Sequence, residues 1–201
     1  MRGIPEAVKN LADKLAELPS IGPRQALRLA FYLVAQGQEF IKNLAHDVDD
    51  LRKVKVCERC FFVHQNKESL CDICKSPARR KDTIMVVEKE TDLISLENTG
   101  KFNSRYFILG PISKTGVLES WQKLRLQNLK SFIEKEPNGK AEEIILAFNP
   151  TSAGDFHASL ISKELATFAK KISRLGRGLP TGGEIEFADD ETLGSALDRR
   201  S

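Results

Sequence analysis

Thr83-Ile84-Met85-Val86-Val87-Glu88 is a short, unbroken apolar run that ends on an acid. A strand with one wet face alternates apolar and polar residues. An unbroken run of this length marks a strand buried on both faces, as in a parallel sheet covered by helices. The pattern recurs downstream in Arg105-Tyr106-Phe107-Ile108-Leu109 and in Glu143-Ile144-Ile145-Leu146-Ala147-Phe148. Helical spacing fills the gaps, around Leu93 to Leu96 and then in Trp121, Leu124, Leu129, Phe132 and Ile133. Phe156, Leu160, Ile161, Leu165, Phe168 and Ile172 read as a further helix, and Ile185 to Phe187 as a last strand. Strands alternating with helices predict an α/β fold with a mostly parallel sheet.

Upstream the texture is different. Ile4, Val8, Leu11, Leu15 and Leu18 recur at helical spacing, and Pro19-Ser20-Ile21-Gly22-Pro23 interrupts them. Leu27, Ala30, Phe31 and Val34 mark a second helix, with Pro23 suited to its first turn. Phe40, Leu44, Val48 and Leu51 mark a third. The first 55 residues therefore predict a small all-helical unit ahead of the α/β region. The whole chain has 201 residues and a net charge of +3, from 31 Lys and Arg against 28 Asp and Glu. That balance permits nucleic-acid binding without arguing for it. No apolar run approaches the roughly 20 residues of a membrane helix. Met1 to Glu6 carries no signal-peptide core, so the cytosol is the expected compartment.

All four cysteines fall between the two regions, as Cys57-Glu58-Arg59-Cys60 and Cys71-Asp72-Ile73-Cys74. Two such knuckles supply four thiolates to one tetrahedral ion, which suits a structural zinc with no open position for water. An iron–sulfur cluster fits the spacing less well, and four reduced cysteines without metal is the bland alternative. Phe61, Phe62 and Val63 are too few to make a core alone, so metal is expected to supply most of the folding free energy here. His64 reads as a surface residue.

The turn Leu18 to Arg24 brings a glycine to the start of the second helix. Arg24 and Arg28, four residues apart, share a face beside Gly22. Backbone amides at such a turn bind phosphate. On spacing alone, an ordinary helical hairpin with solvated arginines explains the same residues equally well.

A resemblance then becomes specific. Leu18 to Leu29 resembles the helix-hairpin-helix of bacterial DNA-repair proteins. The order of hairpin, four-cysteine module and α/β domain is similar to that of the RecR family of recombination mediators. The tail Arg174-Leu175-Gly176-Arg177-Gly178-Leu179-Pro180-Thr181-Gly182-Gly183-Glu184-Ile185-Glu186-Phe187-Ala188-Asp189 resembles that family's C-terminal signature. The resemblance covers nearly the whole chain, which is identified as a member of the family. It implies a DNA-binding region at 1–56 with Gly22, Arg24 and Arg28 on DNA, and a four-cysteine zinc-finger module at 57–80. It further implies a Toprim-like domain at 81–173 and a C-terminal segment at 174–201 used in oligomer assembly. It implies one Zn2+ per chain, a ring-like homo-oligomer, taken as a tetramer, able to encircle DNA, and RecO, RecF or both as partners. The setting would be cytoplasmic and nucleoid-associated, with no membrane.

Toprim enzymes hold magnesium with a glutamate after the first strand and an Asp-x-Asp pair after a later one. Glu88 matches the glutamate, but Asn149 and Thr151 stand where the aspartates would be. An amide and a hydroxyl are poor ligands for a hard cation, so the expectation is a Toprim fold that is not an enzyme. Glu88 and Asp155 are then expected to serve partner binding. The rival is a metal-dependent Toprim nuclease or primase-like enzyme; a transcription-factor-like zinc protein is a third reading, disfavoured by the size of the α/β domain. The segments around Gly110-Pro111 and Ala153 depart from the family pattern. No phosphate-binding Gly-x-x-x-x-Gly-Lys loop is present, and His157 reads as a helix-face residue.

Overall fold

A computed structural model describes residues 3–113, 115–198 and 200. The chain divides into two compact units, Met1–Val54 and Lys55–Ser201. The first unit holds three helices, α1 (Glu6–Ala16), α2 (Pro23–Gln36) and α3 (Gln38–Asp50). Pro23 is the first residue of α2, where its missing N–H costs nothing. Gly37 joins α2 directly to α3 at φ 90, a conformation other residues resist. The buried core of the unit consists of Val8, Ala12, Ala26 and Ala30. Small side chains let α1 and α2 approach closely, but they bury little area. Leu11, Phe31, Val34, Phe40, Leu44, Val48 and Leu51, all on the apolar faces read from the sequence, remain exposed.

The second unit opens with β1 (Lys55–Val56) paired antiparallel to β2 (Val63–His64), followed by the short α4 (Asp72–Lys75). Then come β3 (Thr83–Val87), α5 (Glu90–Asn98), β4 (Arg105–Ile108), α6 (Ser120–Glu134), β5 (Ala141–Ala147), α7 (Ser152–Leu165), β6 (Ala169–Arg174) and α8 (Asp190–Asp198). β4, β3, β5 and β6 lie side by side in that order, all parallel. β3 is central, and its residues alternate between two cores. Ile84 and Val86 join Phe107, Leu126, Leu129, Ile133, Ile144, Leu146, Ile161 and Leu165 on one face. Met85 and Val87 join Leu93, Tyr106, Ile108 and Ala147 on the other. The unbroken apolar reading of Thr83 to Val87 follows from this double burial.

Two sequence expectations need correction. Ile172 does not continue a helix: α7 ends at Leu165, Phe168 N–H closes a turn onto Leu165 O at 2.9 Å, and Ile172 lies in β6. Lys170 and Lys171 pair with Glu142 and Glu143 of the neighbouring strand, at 2.6 and 2.8 Å. Ile185–Phe187 is not a strand but a single 3-10 turn, with Phe187 79% exposed. None of the described helices is long and apolar enough to cross a membrane.

Candidate functional site

The four cysteine sulfurs lie within 4.8 Å of one another. Cys57 and Cys60 sit on the turn between β1 and β2. Cys57 N–H donates to Phe62 O at 2.8 Å, and Phe61 N–H donates to Cys57 O at 2.9 Å. Phe61 completes the turn at φ 64, which frees Phe62 N–H to point at Cys60 Sγ, 3.4 Å away. Cys71 is the residue just before α4, at its N-cap, and Cys74 lies within the helix, which presents the second pair. Cys60 Sγ and Cys71 Sγ are 3.5 Å apart, far beyond the disulfide length of about 2.0 Å. Sulfurs at about 2.3 Å from a tetrahedral zinc stand about 3.8 Å apart, so the spacing fits that ion. Hydrogen bonding from Cys60, Cys71 and Cys74 drives the Cys57 thiol strongly down, while the Cys57, Cys71 and Cys74 contacts drive Cys60 up. His64 is buried rather than on the surface: its Nδ1 accepts from Asn66 N–H at 3.1 Å, and its Nε2 has no partner among the described residues. It lies outside the four-sulfur cluster.

The C-terminal ends of the parallel strands form a second site. The strand order reverses between β3 and β5, the place where open α/β sheets bind ligands. Glu88 leaves β3 here but is only 8% exposed. Its Oε1 lies 3.4 Å from His157 Nδ1, and His157 Nε2 donates to Ser113 O at 3.0 Å. His157 is therefore buried between strand end and loop, not on an open helix face. Thr151 caps α7, its hydroxyl accepting from Gly154 N–H at 3.1 Å. A Cβ on Gly154 would lie 2.0 Å from Asn149 O, so only glycine permits this turn. Asp155 is paired with Arg174 at 2.6 Å and with Arg177. The hydrogen bond from Arg174 leads in holding its carboxyl below the usual range, and Arg177 adds to it. Arg177 also pairs with Glu191 at the start of α8, so these charges tie the tail to the sheet. These donors do not fit a magnesium site: Thr151 is committed to a cap, Asp155 to two guanidinium groups, and Glu88 faces an imidazole.

The turn of the helical unit offers the opposite arrangement. Ser20 takes φ 64, and Gly22 precedes α2. No side chain caps α2, and a Cβ on Gly22 would meet nothing within 4 Å. The space over the first turn is open. Arg24 and Arg28 flank it, both exposed, and neither makes an ion pair among the described residues. Sequence reasoning missed His157, Arg174 and Arg177. Arg174, which ends β6, and Arg177 were visible only as basic residues of the tail signature; nothing local marked the burial of His157.

Comparison with known proteins matches three stretches in order. A RecR helix-hairpin-helix family matches residues 8–51, a Toprim domain 82–176 and a RecR C-terminal family 178–201. A protein named Recombination protein RecR from Frankia casuarinae is 36% identical over 198 residues, covering 96% of this chain and 95% of its own length. One of the same name from Dehalococcoides mccartyi is 38% identical, covering 96% and 93%. Another from Roseiflexus castenholzii is 36% identical, covering 98% and 94%.

Proposed function

This chain belongs to the RecR family of recombination proteins, and from that premise we propose that it is a DNA-binding recombination mediator and not an enzyme. It would help load recombinase onto single-stranded DNA in recombinational repair, acting with RecO, RecF or both, in the cytoplasm at the nucleoid. One observation carries the DNA contact: Arg24 and Arg28 stand exposed and without ion-pair partners among the described residues, beside the uncapped, open turn at Gly22. Backbone amides and the helix dipole attract one phosphate there, and the two guanidinium groups reach its neighbours. Such contacts position a strand without reading its sequence.

Zinc is the ion we assign to Cys57, Cys60, Cys71 and Cys74, one per chain, with the thiolates closing its coordination and holding the turn. The division at 1–56, 57–80, 81–173 and 174–201 belongs to the same reading. Assembly into a ring-like homo-oligomer, a tetramer, is supported by the large apolar side chains that α1 to α3 leave exposed. Encirclement by such a ring would retain DNA with only weak phosphate contacts. For RecO or RecF we assign the face at the strand ends. Glu88 and Asp155 act there by holding the loops and tail in place, since burial and pairing keep both carboxylates from acting as free charges.

Non-enzyme status rests on the ligand set: phosphoryl chemistry with metal needs fixed anionic donors, and Asn149 and Thr151 supply none. The purified chain with magnesium or manganese should leave DNA uncut, unligated and unextended. Glu88→Ala should weaken partner binding while DNA binding persists. Metal-dependent nicking that survives purification and vanishes in Glu88→Ala would favour the nuclease reading instead.

A further inference from the structure

A chain of contacts joins the cysteine turn to an exposed indole on the same unit. Ile108 N–H, at the end of β4, donates to Cys60 O at 2.9 Å. Phe61 follows in the left-handed region and meets Phe107 edge-on, ring centroids 5.5 Å apart. The Phe61 ring also lies 4.5 Å from the Arg125 guanidinium, and the same guanidinium lies 4.9 Å from the Trp121 ring. Arg125 and Trp121 are four residues apart on α6, so they share a face. Arg125 Nη1 donates to Ile108 O at 3.1 Å, and Arg125 makes no ion pair among the described residues. Burial holds its pKa below the usual guanidinium value. Glu90 acts on it only as a more distant charge. A partly desolvated cation with no ion-pair partner in contact is costly, and an apolar residue would pack in its place without that cost. Two aromatic faces and one carbonyl offset the cost only in this arrangement.

Trp121 is itself tightly placed. Its Nε1 donates to Glu119 Oε2 at 2.7 Å. Its ring covers Gly110, where a Cβ would come within 2.1 Å of Cη2. It is nonetheless 39% exposed, beside the more exposed Leu124. Tryptophan and arginine are among the residues most enriched at binding hot spots.

We propose that Arg125 is a positioning residue that ties Trp121, through Phe61, to the cysteine centre, so that metal occupancy sets where the indole stands. Trp121 as a contact for a protein partner rests on the function proposed above; the relay does not. With the thiolates gathered, the 57–62 turn is closed and Phe61 stays in the left-handed backbone region, which side chains with a Cβ resist. When the thiolates separate, that turn relaxes, Phe61 withdraws, and Arg125 loses one of its two rings. Arg125 then turns to solvent and Trp121 loses its support.

Trp121 is the only tryptophan in the chain, so its emission reports this position alone. The experiment compares the full-length reduced protein with zinc, after chelation, and after zinc is returned. Chelation should shift the emission and raise quenching by acrylamide, and zinc should restore both. Arg125→Ala with a full equivalent of zinc and wild-type circular dichroism should already show the altered emission and respond no further to chelation. Arg125→Lys should recover part of the response. If Arg125→Ala does not fold, Phe61→Leu carries the same expectation. Emission indifferent to complete zinc removal, or an Arg125→Ala response equal to wild type, would overturn the relay. If emission follows zinc but Trp121→Ala binds RecO or RecF as wild type does, the relay stands and Trp121 is not part of the partner contact.

Discussion

The helical unit and the sheet unit use the same kinds of residue to opposite ends. The sheet unit buries its large side chains, Ile144, Leu146, Phe107 and Ile161 among them. It also engages its charges, with Arg174 and Arg177 on Asp155. The helical unit closes on Val8, Ala12, Ala26 and Ala30 and leaves Phe31, Val34, Leu44 and Val48 in solvent. Its Arg24 and Arg28 face solvent as well. The sheet unit closes many of its large side chains over the sheet and pairs charges that hold its tail, although α6 and the tail still expose Trp121, Leu124 and Phe187. The helical unit leaves most of its large side chains in solvent, together with two arginines that make no ion pair among the described residues.

Loss of the zinc proposed for the four cysteines should separate the two units most sharply. Cys57→Ser, or chelation under reducing conditions, should strip the sheet unit of its cysteine centre and lower its melting temperature. Zinc supplies roughly 10–16 kcal/mol to isolated finger peptides; the sheet core here limits the loss to part of that. Metal analysis with thermal denaturation checks it. An unchanged melt in a metal-free variant would erase the distinction.

Core truncations sharpen the comparison at smaller scale. Ile144→Ala, at a fully buried site, should cost about 2–5 kcal/mol in chemical denaturation. Leu44→Ala, on the exposed face of α3, should change stability by less than about 0.5 kcal/mol yet lower the oligomeric mass in solution. Equal stability losses at the two sites, or an unchanged mass for Leu44→Ala, would contradict the contrast between the units.

Much of this was legible in the sequence, for local reasons. Thr83 to Val87 was readable because double burial leaves no polar alternation. The cysteine cluster was readable because all four residues come from two adjacent knuckles. Asn149 and Thr151 were readable as departures from an acidic pattern, and Thr151 proves to be a helix cap. The end of α7 was hidden, because Phe168 and Ile172 prolong the helical spacing and no Gly or Pro marks the turn between Leu165 and Ala169. His64 was read as surface, and the burial of His157 on α7 went unread, because a lone histidine carries no sign of its burial. The pairing of Asp155 with Arg174 and Arg177 arises only when the tail meets the sheet. The stacking of Arg125 between Phe61 and Trp121 likewise needs the cysteine turn and α6 to be brought together. In the helical unit the periodicity gave the helices but not the exposure of their apolar faces, which depends on what else is there to cover them.

The contact proposed between Arg24, Arg28 and DNA phosphates is read out by the salt dependence of binding. Affinity for a single-stranded oligonucleotide is measured across a salt series for wild type and Arg24→Ala/Arg28→Ala. Each phosphate contact contributes about 0.7 to the log–log slope on single strands, so the double variant should flatten it by about 1.4. Binding should weaken equally for unrelated sequences, with zinc content and melting temperature unchanged. An unaltered affinity and slope in the folded double variant would contradict the account.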